Sequence, residues 1–221
     1  MCGRFTLATD LSGFMAEFEL KLPEELAHPR LYNVAPSQPV LGLVGGPTIA
    51  YEVMEWGFIP SWAKEEGKFR PVINARGETV AEKPYFRGAF RSGRCSILAN
   101  GFYEWKKVKG GKVPYWIALE DESPFGFAGL WSHRTLPNGS EQATCAIITT
   151  TPNELMEGIH DRMPVLLTAD EIRVWLDREA RQSEVEDLIR PFPADRMKAY
   201  EVSTRVNSPR NDSAENIEPV S

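Results

Sequence analysis

Apolar residues near the N-terminus of the chain recur at helical spacing. Four of them lie at positions i, i+3, i+4 and i+7, which places them on one face of a helix. These residues are Leu11, Phe14, Met15 and Phe18. Asp10 stands just before the run, where a side-chain oxygen commonly caps the first turn. A short strand over residues 4–7 is predicted to lead into this helix.

Further along the chain, alternation of apolar and polar positions replaces the helical spacing. Two apolar runs flank the turn sequence Gly45-Gly46-Pro47, and the second, residues 49–56, alternates as a half-buried strand does. A second hairpin is predicted from residues 95–105 and 113–119, joined by residues 109–112. Further strands are expected at residues 125–130, 143–149 and 198–202.

Helices are expected before the last of these strands. One spans residues 153–158, and two begin at capping boxes, Thr168 with Glu171 and Ser183 with Glu186. Because strands and helices mix without strict βαβ alternation, the pattern predicts an α+β fold, with a largely antiparallel, barrel-like β core flanked by short helices. In this interpretation residues 1–207 form a single domain and residues 208–221 form a polar C-terminal tail.

Length and cysteine content narrow the class of protein. A chain of 221 residues buries roughly 70% of its unfolded surface, so it needs no disulfide or metal to fold. Its three cysteines are odd in number and lack C-x-x-C spacing, which favours a reducing compartment. The longest apolar runs are far shorter than the ~20 residues of a membrane span, and the N-terminus lacks a leader pattern. We therefore expect a cytoplasmic protein without membrane contact.

Charge and motif content exclude several kinds of chemistry. The formal net charge of −6 argues against a broad grip on duplex DNA, although a local basic groove remains compatible with it. The sequence has neither the dinucleotide-binding nor the P-loop glycine motif, so we expect no nucleotide cofactor. His28 and His133 lie in predicted polar loops without a second ligand at metal spacing, so we expect no metal site. Cys95 and Cys145 lie in apolar strand patterns and are expected to be inert core thiols.

Cys2 is the strongest single candidate for chemistry. It follows the initiator Met1, and a residue as small as cysteine normally allows an aminopeptidase to remove that methionine. Cys2 would then carry a free α-amine, whose pKa near ~8 leaves far more of it unprotonated than a lysine amine with a pKa near ~10.4. Such an amine forms an imine with an aldehyde, and the adjacent thiol then closes a five-membered thiazolidine. Position alone favours a small structural residue at a strand start, so the neighbouring motifs must decide.

Three later segments combine reactive side chains with apolar surroundings. Asn74 is followed closely by a guanidinium and a carboxylate, Glu104 lies between aromatic residues within a predicted strand, and His160 stands between a predicted helix and an apolar run. Apolar neighbours raise the pKa of a carboxyl towards the range useful for proton transfer. Each residue also has a structural interpretation: Asn74 as a turn residue, Glu104 on a solvent face, and His160 as a capping or buried histidine paired with Asp161.

Six motifs occur in order between residue 1 and about residue 207. They are Met1-Cys2-Gly3-Arg4-Phe5, Tyr32-Asn33-Val34-Ala35-Pro36, Trp56-Gly57-Phe58-Ile59-Pro60-Ser61-Trp62, Asn74-Ala75-Arg76-Gly77-Glu78-Thr79, Gly101-Phe102-Tyr103-Glu104-Trp105 and His160-Asp161-Arg162-Met163-Pro164. Together they resemble the SOS-response-associated peptidase family, the abasic-site processing proteins. Six ordered motifs are far more specific than any one of them.

The resemblance implies that Cys2, with Met1 removed, captures the ring-opened aldehyde of an abasic site in single-stranded DNA as a thiazolidine. It also implies that Asn74, Glu104 and His160 surround this cysteine. Asn74 would hold the sugar or the cysteine backbone, Glu104 would move protons during imine formation and ring closure, and His160 would assist opening of the deoxyribose ring or the reverse reaction. We further expect a monomer that needs no cofactor and acts at the nucleoid.

Residues close to these motifs are candidates for DNA contact. Arginines can neutralise phosphates that flank the lesion, whereas an aromatic ring or a proline can stack on a base or wedge beside it. Thr149 ends an apolar strand pattern and is expected to line the site or simply to close the strand. The candidates are Arg4, Pro36, Trp62, Arg76, Thr149, Arg162 and, more weakly, Arg205.

Two alternatives remain open from the sequence. In the first, the Cys2 thiol attacks an amide, as in an N-terminal-nucleophile peptidase or amidase, and Asn74 stabilises the oxyanion. In the second, the chain is a non-catalytic single-stranded DNA-binding module that relies on Arg76 and Trp62. A heat-stable adduct with abasic single-stranded DNA is expected from covalent capture and from neither alternative.

Overall fold

A closed barrel and a second antiparallel sheet make up the computed structural model, which describes residues 2–63, 69–136 and 138–220. The strands are β1 Phe5–Leu7, β2 Leu31–Val34, β3 Pro39–Val44, β4 Ala50–Trp56, β5 Asn74–Arg76, β6 Arg94–Ala99, β7 Gly101–Val108, β8 Gly111–Leu119, β9 Phe125–Thr135, β10 Glu141–Thr150, β11 Met163–Pro164, β12 Leu166–Leu167 and β13 Met197–Glu201. The helices are α1 Ser12–Ala16, α2 Glu24–Ala27, α3 Gly77–Val80, α4 Arg87–Ser92, α5 Glu154–Glu157, α6 Ala169–Leu176 and α7 Gln182–Glu186.

The barrel is formed by five strands in the order β10-β4-β3-β6-β9, with β9 pairing back onto β10. These pairings are antiparallel except for β10 with β4. The short strands β5 and β11 add to β10, and β12 adds to β9. Alternate side chains of the barrel strands point inward, so Trp56, Ile97 and Phe127 have no exposed surface. The α+β class with a barrel-like antiparallel core is confirmed.

The second sheet has the order β13-β8-β7-β1-β2 and packs against the barrel through its central strands. Phe5 of β1 is the main contact, because its ring centroid lies 5.2 Å from that of Trp56 and 5.6 Å from that of Phe127. Aromatic pairs at these separations add to the stabilisation from burial alone. The N-terminal strand is therefore anchored on the barrel just after Cys2.

Several elements follow the sequence pattern. The hairpin of β3 and β4 turns at residues 45–49, and that of β7 and β8 turns at residues 109–110. The Thr168 hydroxyl accepts from the Glu171 N–H while the Glu171 carboxylate accepts from the Thr168 N–H, so the predicted capping box of α6 is confirmed.

Four local predictions were wrong. Residues 95–105 are not one strand, because Asn100 bends the chain out of the barrel: its N–H donates to Thr6 and its side chain accepts from Ala8. Helix α7 begins after Arg181, whose N–H donates to Glu184, so Ser183 is not its cap. Helix α1 begins at Ser12, so Leu11 rather than Asp10 stands at the cap position, and the Asp10 carboxylate accepts from the Ser12 N–H. His133 lies in β9 rather than in a loop.

Residues 208–220 pack against the second sheet, although their composition is that of a polar tail. The Asn33 amide donates to the backbone carbonyls of Val206, Ser208 and Asn211 at 2.6–3.2 Å, and its oxygen accepts from Arg4 at 2.7 Å. Asn216 is fully buried, and Pro219 forms a β-bridge with Val202. The segment is ordered by hydrogen bonds to its backbone, which hydropathy does not report.

No helix among residues 2–63, 69–136 and 138–220 combines the length and the apolar character needed to cross a bilayer.

We expect Asn33→Ala to lower the free energy of unfolding by roughly 3 kcal/mol, since one buried and two half-buried backbone carbonyls and one arginine lose a hydrogen-bond partner. Urea denaturation with Asn138→Ala as control measures the effect, because Asn138 lies in an exposed turn. A loss of stability no larger than that of the control would show that Asn33 does not hold the C-terminal segment in place.

Candidate active site

Backbone pairing sets the position of Cys2. Strand β1 runs antiparallel to β7 with Phe5 opposite Phe102, and the Tyr103 N–H donates to the Arg4 carbonyl at 2.9 Å. Continued by two residues, this register brings the start of the chain alongside Glu104. The Cys2 side chain has no exposed surface, and its thiol lies 3.8 Å from the Arg4 carbonyl oxygen.

Asn74 reaches Cys2 from the other sheet. It opens β5, which pairs in parallel with β10 so that Asn74 lies beside Ile147. The Asn74 amide donates to the Cys2 carbonyl at 2.8 Å. Its side-chain oxygen is buried and accepts no hydrogen bond from the described residues. Asn74 therefore holds the backbone of Cys2 and presents an acceptor oxygen next to it.

Glu104 supplies a buried carboxyl in the middle of β7. The residue is 2% exposed, and burial raises its pKa to about 7. Burial raises the pKa of the Cys2 thiol well above its ordinary value, and the nearby Glu104 raises it further. Both groups are pushed towards their protonated forms because a low-polarity environment disfavours charge. The thiol is therefore neutral near pH 7, whereas the carboxyl can both donate and accept a proton there.

His160 completes the group from the barrel side. It follows α5 and precedes β11, which pairs with β10 through Met163 opposite Thr150. Its Nε2 lies 3.8 Å from the Glu104 carboxylate, and its Nδ1 lies 2.9 Å from Asp161. Burial lowers the pKa of the imidazole, which favours the neutral ring near pH 7.

The structure thus brings together the four predicted catalytic residues, which come from two sheets. A nucleophile-bearing residue, a carboxyl with a pKa near neutrality and a neutral imidazole lie around one buried point. This arrangement is suited to general acid–base chemistry at a group attached to Cys2.

The four candidate DNA-binding arginines differ in what they contact. Arg4 donates to Asn33 and to the Val206 carbonyl, each at 2.7 Å, and lies over the Trp105 ring. Arg162 forms a two-pronged ion pair with Glu78, and Arg205 lies 3.1 Å from the Glu215 carboxylate. Arg76 is exposed and shares one face of β5 with Asn74, two residues before it.

The remaining candidates lie in different surroundings. Thr149 is fully buried on β10, and its carbonyl and hydroxyl oxygens accept from Arg162. Pro36 is exposed in the turn after β2. Trp62 is 54% exposed and packs edge-on against Phe69 and Tyr85, with ring centroids 5.2 and 6.3 Å away. Trp62 and Tyr85 also line a groove of about 320 Å³.

Two residues in the quoted motifs were not predicted to have a part in the site. Glu78 pairs with Arg162, 84 positions away, and Asn33 binds Arg4 and the C-terminal segment. Both residues belong to the quoted motifs, but no local pattern indicates their hydrogen-bond partners, which are distant in sequence. Among the described residues, no group of three or more His, Cys, Asp and Glu side chains is arranged to hold a metal ion.

Comparisons with known proteins agree with the six motifs. The family model "SOS response associated peptidase (SRAP)" matches residues 1–209. Abasic site processing protein YoqW of Bacillus subtilis is 46% identical over 223 residues, covering 99% of each chain. Abasic site processing protein YedK of Escherichia coli is 30% identical and covers both chains fully. A crystal structure of a protein from Bacteroides thetaiotaomicron superposes with a TM-score of 0.89 at 27% identity over the full length of both chains.

The raised pKa of Glu104 predicts how its replacement affects stability at different pH. A carboxyl with a folded-state pKa near 7, above its ordinary value of 4.5, stabilises the fold below pH 4.5, and this contribution is lost as the pH rises through 7. The free energy of unfolding of Glu104→Gln, measured relative to that of the unchanged protein, should therefore be higher at pH 8 than at pH 5. The expected rise is on the order of 3 kcal/mol.

Urea denaturation at both pH values measures this difference. Glu82→Gln is the matched control, since it makes the same change at an exposed position. If Glu104→Gln and Glu82→Gln behave alike, the Glu104 carboxyl titrates as an ordinary surface group.

Proposed function

The chain belongs to the SOS response associated peptidase family, and from this premise we propose that it captures abasic sites in single-stranded DNA covalently, through Cys2. The observation that carries the proposal is the convergence of Asn74, Glu104 and His160 on the residue that becomes N-terminal when Met1 is removed. Relatives whose names state abasic site processing, YoqW and YedK, cover the whole chain and support the substrate class.

Removal of Met1 is the first step, because the α-nitrogen of Cys2 is otherwise part of a peptide bond. The freed amine then attacks C1′ of the ring-opened deoxyribose, forming a C–N bond and a carbinolamine. Protonation of the hydroxyl and loss of one water give the protonated imine. The thiol adds to the same carbon: an S–C bond forms, the C=N bond becomes a C–N bond, the thiol proton returns to the group that protonated the hydroxyl, and a thiazolidine results. One water leaves in total.

Burial supports this order of attack. A thiol with a strongly raised pKa stays protonated and is a poor initial nucleophile, whereas an α-amine has a sizeable neutral fraction near pH 7. Amine attack first, followed by intramolecular thiol addition, uses each group in the protonation state that its surroundings favour.

Glu104 and His160 then divide the proton transfers. Glu104, with a pKa near 7, protonates the departing carbinolamine hydroxyl and afterwards accepts a proton as the thiol adds. His160, neutral at this pH, assists the earlier ring opening, in which the C1′–O4′ bond breaks and a proton moves from the C1′ hydroxyl to O4′. Asn74 keeps the Cys2 backbone in place, and its side-chain oxygen is available to the sugar or the freed amine.

The DNA strand is held by groups around this point. Arg76 projects beside Asn74 and neutralises a phosphate next to the lesion, whereas Trp62 and Pro36 offer exposed surfaces for stacking on bases. The other four candidates are already hydrogen-bonded or ion-paired within the protein, so they support the surface that the strand follows. They are Arg4, Thr149, Arg162 and Arg205. The protein acts as a cytoplasmic monomer that joins the nucleoid at lesions, and its peptidase action is confined to the release of Met1.

We expect Cys2→Ala to form no heat-stable adduct with an abasic oligonucleotide while retaining most of its affinity for intact single strands. Cys2→Ser keeps the α-amine and should form an imine that borohydride traps. Intact mass spectrometry before and after mixing reports both Met1 loss and the adduct mass. Cys145→Ala is the matched control, because that thiol is buried in the barrel.

Three results would count against this scheme. An adduct of undiminished yield from Cys2→Ala would place the nucleophile elsewhere. If Cys2→Ser gives no trapped imine although Met1 is removed, the amine does not attack first. Absence of any adduct from the unchanged, Met1-free protein would favour the peptidase or DNA-binding alternatives.

Arg76→Ala should weaken binding to intact single-stranded DNA and reduce the slope of log affinity against log salt by roughly one, as loss of one phosphate contact does. Fluorescence anisotropy across a salt series measures this slope. Arg181→Ala is the control, because Arg181 is highly exposed just before α7 and paired with Glu184. An unchanged slope for Arg76→Ala would show that the DNA strand follows another path.

A further inference from the structure

Two groups compete for one nitrogen of His160. The backbone N–H of Arg162 points at Nδ1 from 3.1 Å, and the Asp161 carboxylate lies 2.9 Å from the same nitrogen. The first contact requires Nδ1 to carry a lone pair, whereas the second requires it to carry a proton. The two contacts therefore favour opposite tautomers of the neutral ring, and only one leaves a proton on Nε2, which faces Glu104 at 3.8 Å.

Asp161 is the weaker competitor because of its surroundings. Its side chain is 89% exposed, so water competes for the carboxylate and salt screens it. The Arg162 N–H is a fixed donor as long as the backbone at this residue cannot rotate. At Nδ1, the position of the Arg162 backbone thus favours one tautomer of His160 over the other.

The Arg162 side chain fixes that backbone. Its guanidinium is 15% exposed and contacts both carboxylate oxygens of Glu78, one at 2.9 Å, in the planar two-pronged geometry that is strongest for this pair. The same guanidinium donates to the Thr149 carbonyl at 2.7 Å. Thr149 is a rigid point, since it lies in β10 between β5 and β11.

Close packing places Glu78 within reach of this guanidinium. Gly77 precedes it at the start of α3, and a Cβ at that position would lie 2.2 Å from the Ile189 side chain and 3.2 Å from the Thr149 carbonyl. The chain therefore crosses directly over β10 at Gly77. Hydrogen bonding from Arg162 lowers the pKa of the Glu78 carboxyl, which keeps it ionised at neutral pH.

We propose that Glu78 is a positioning residue that acts through Arg162 to select the His160 tautomer with its proton on Nε2. The role rests on the proposed function only for its effect on catalysis, because tautomer selection is a property of the free protein. Without Glu78, the Arg162 guanidinium keeps only its contacts to Thr149, and the backbone N–H is held less firmly against Nδ1. Asp161 then draws the proton to Nδ1, which leaves Nε2 without a proton to give towards Glu104.

Nitrogen NMR of the DNA-free protein tests the selection directly. The chain has three histidines, so ¹⁵N-histidine labelling gives few signals, and His160→Gln assigns the relevant pair. The unchanged protein should show Nε2 protonated at pH 8, and Glu78→Gln should shift the Nδ1 and Nε2 resonances towards the other tautomer. Glu82→Gln, the same change at an exposed position a few residues later, should leave them in place.

A folded Glu78→Gln protein with unchanged His160 resonances would overturn the proposal. If Glu78→Gln does not fold, Glu78→Asp is measured instead: it keeps the charge but is too short for the two-pronged contact, so a partial shift supports the role and no shift refutes it. Asp161→Asn in the Glu78→Gln background should restore the Nε2-protonated form, which a merely structural role would not produce.

The catalytic consequence is measured separately. Glu78→Gln should slow single-turnover adduct formation roughly 10-fold, which is less than or equal to the slowing caused by His160→Ala. The double variant should form adduct at the same rate as His160→Ala alone. If the resonances shift but no protein forms an adduct, tautomer selection stands and covalent capture fails. If adducts form at the unchanged rate in Glu78→Gln while the resonances stay in place, covalent capture stands and tautomer selection fails.

Discussion

The pairing of β10 with β4, β5, β9 and β11 is the constraint on which the site depends. Two of these partners carry site residues, since β5 opens with Asn74 and β11 follows His160. A hydrogen-bonded ladder fixes its strands to within a fraction of an ångström, so the amide and the imidazole are placed by backbone rather than by flexible side chains. A slip of one residue in β5 would turn Asn74 away from Cys2.

A second constraint is electrostatic. Glu104 and Cys2 share a buried environment between the two sheets: burial raises the pKa of both groups, and the nearby Glu104 raises that of the Cys2 thiol further. The cost of burying these groups is reduced because the thiol is neutral near pH 7 and the carboxyl is only partly ionised there. The carboxyl therefore titrates in the range where proton transfer is most effective.

The sequence predicted the class of the fold and the residues of the candidate site more fully than it predicted the contacts between residues that are distant in sequence. Periodicity located the β3–β4 and β7–β8 hairpins, because local turn chemistry determines them. It did not reveal the bend at Asn100, since the hydrogen-bond partners of that residue are backbone groups of Thr6 and Ala8, more than 90 positions away. Glu78 with Arg162 and Asn33 with residues 206–211 escaped prediction for the same reason. Pairings across such separations follow from the closed barrel and leave no local pattern.

The use of arginine connects the fold to the proposed reaction. Arg4, Arg162 and Arg205 are engaged by Asn33, Glu78 and Glu215, so the basic side chains near the site serve mainly to hold its parts together. A formal net charge of −6 gives the chain little overall electrostatic attraction for DNA. On the proposed function, weak reversible binding suits a protein that passes over undamaged strands. On the proposed function, retention at a lesion comes from a covalent bond that only an aldehyde can form, and specificity then lies in chemistry at Cys2 rather than in affinity.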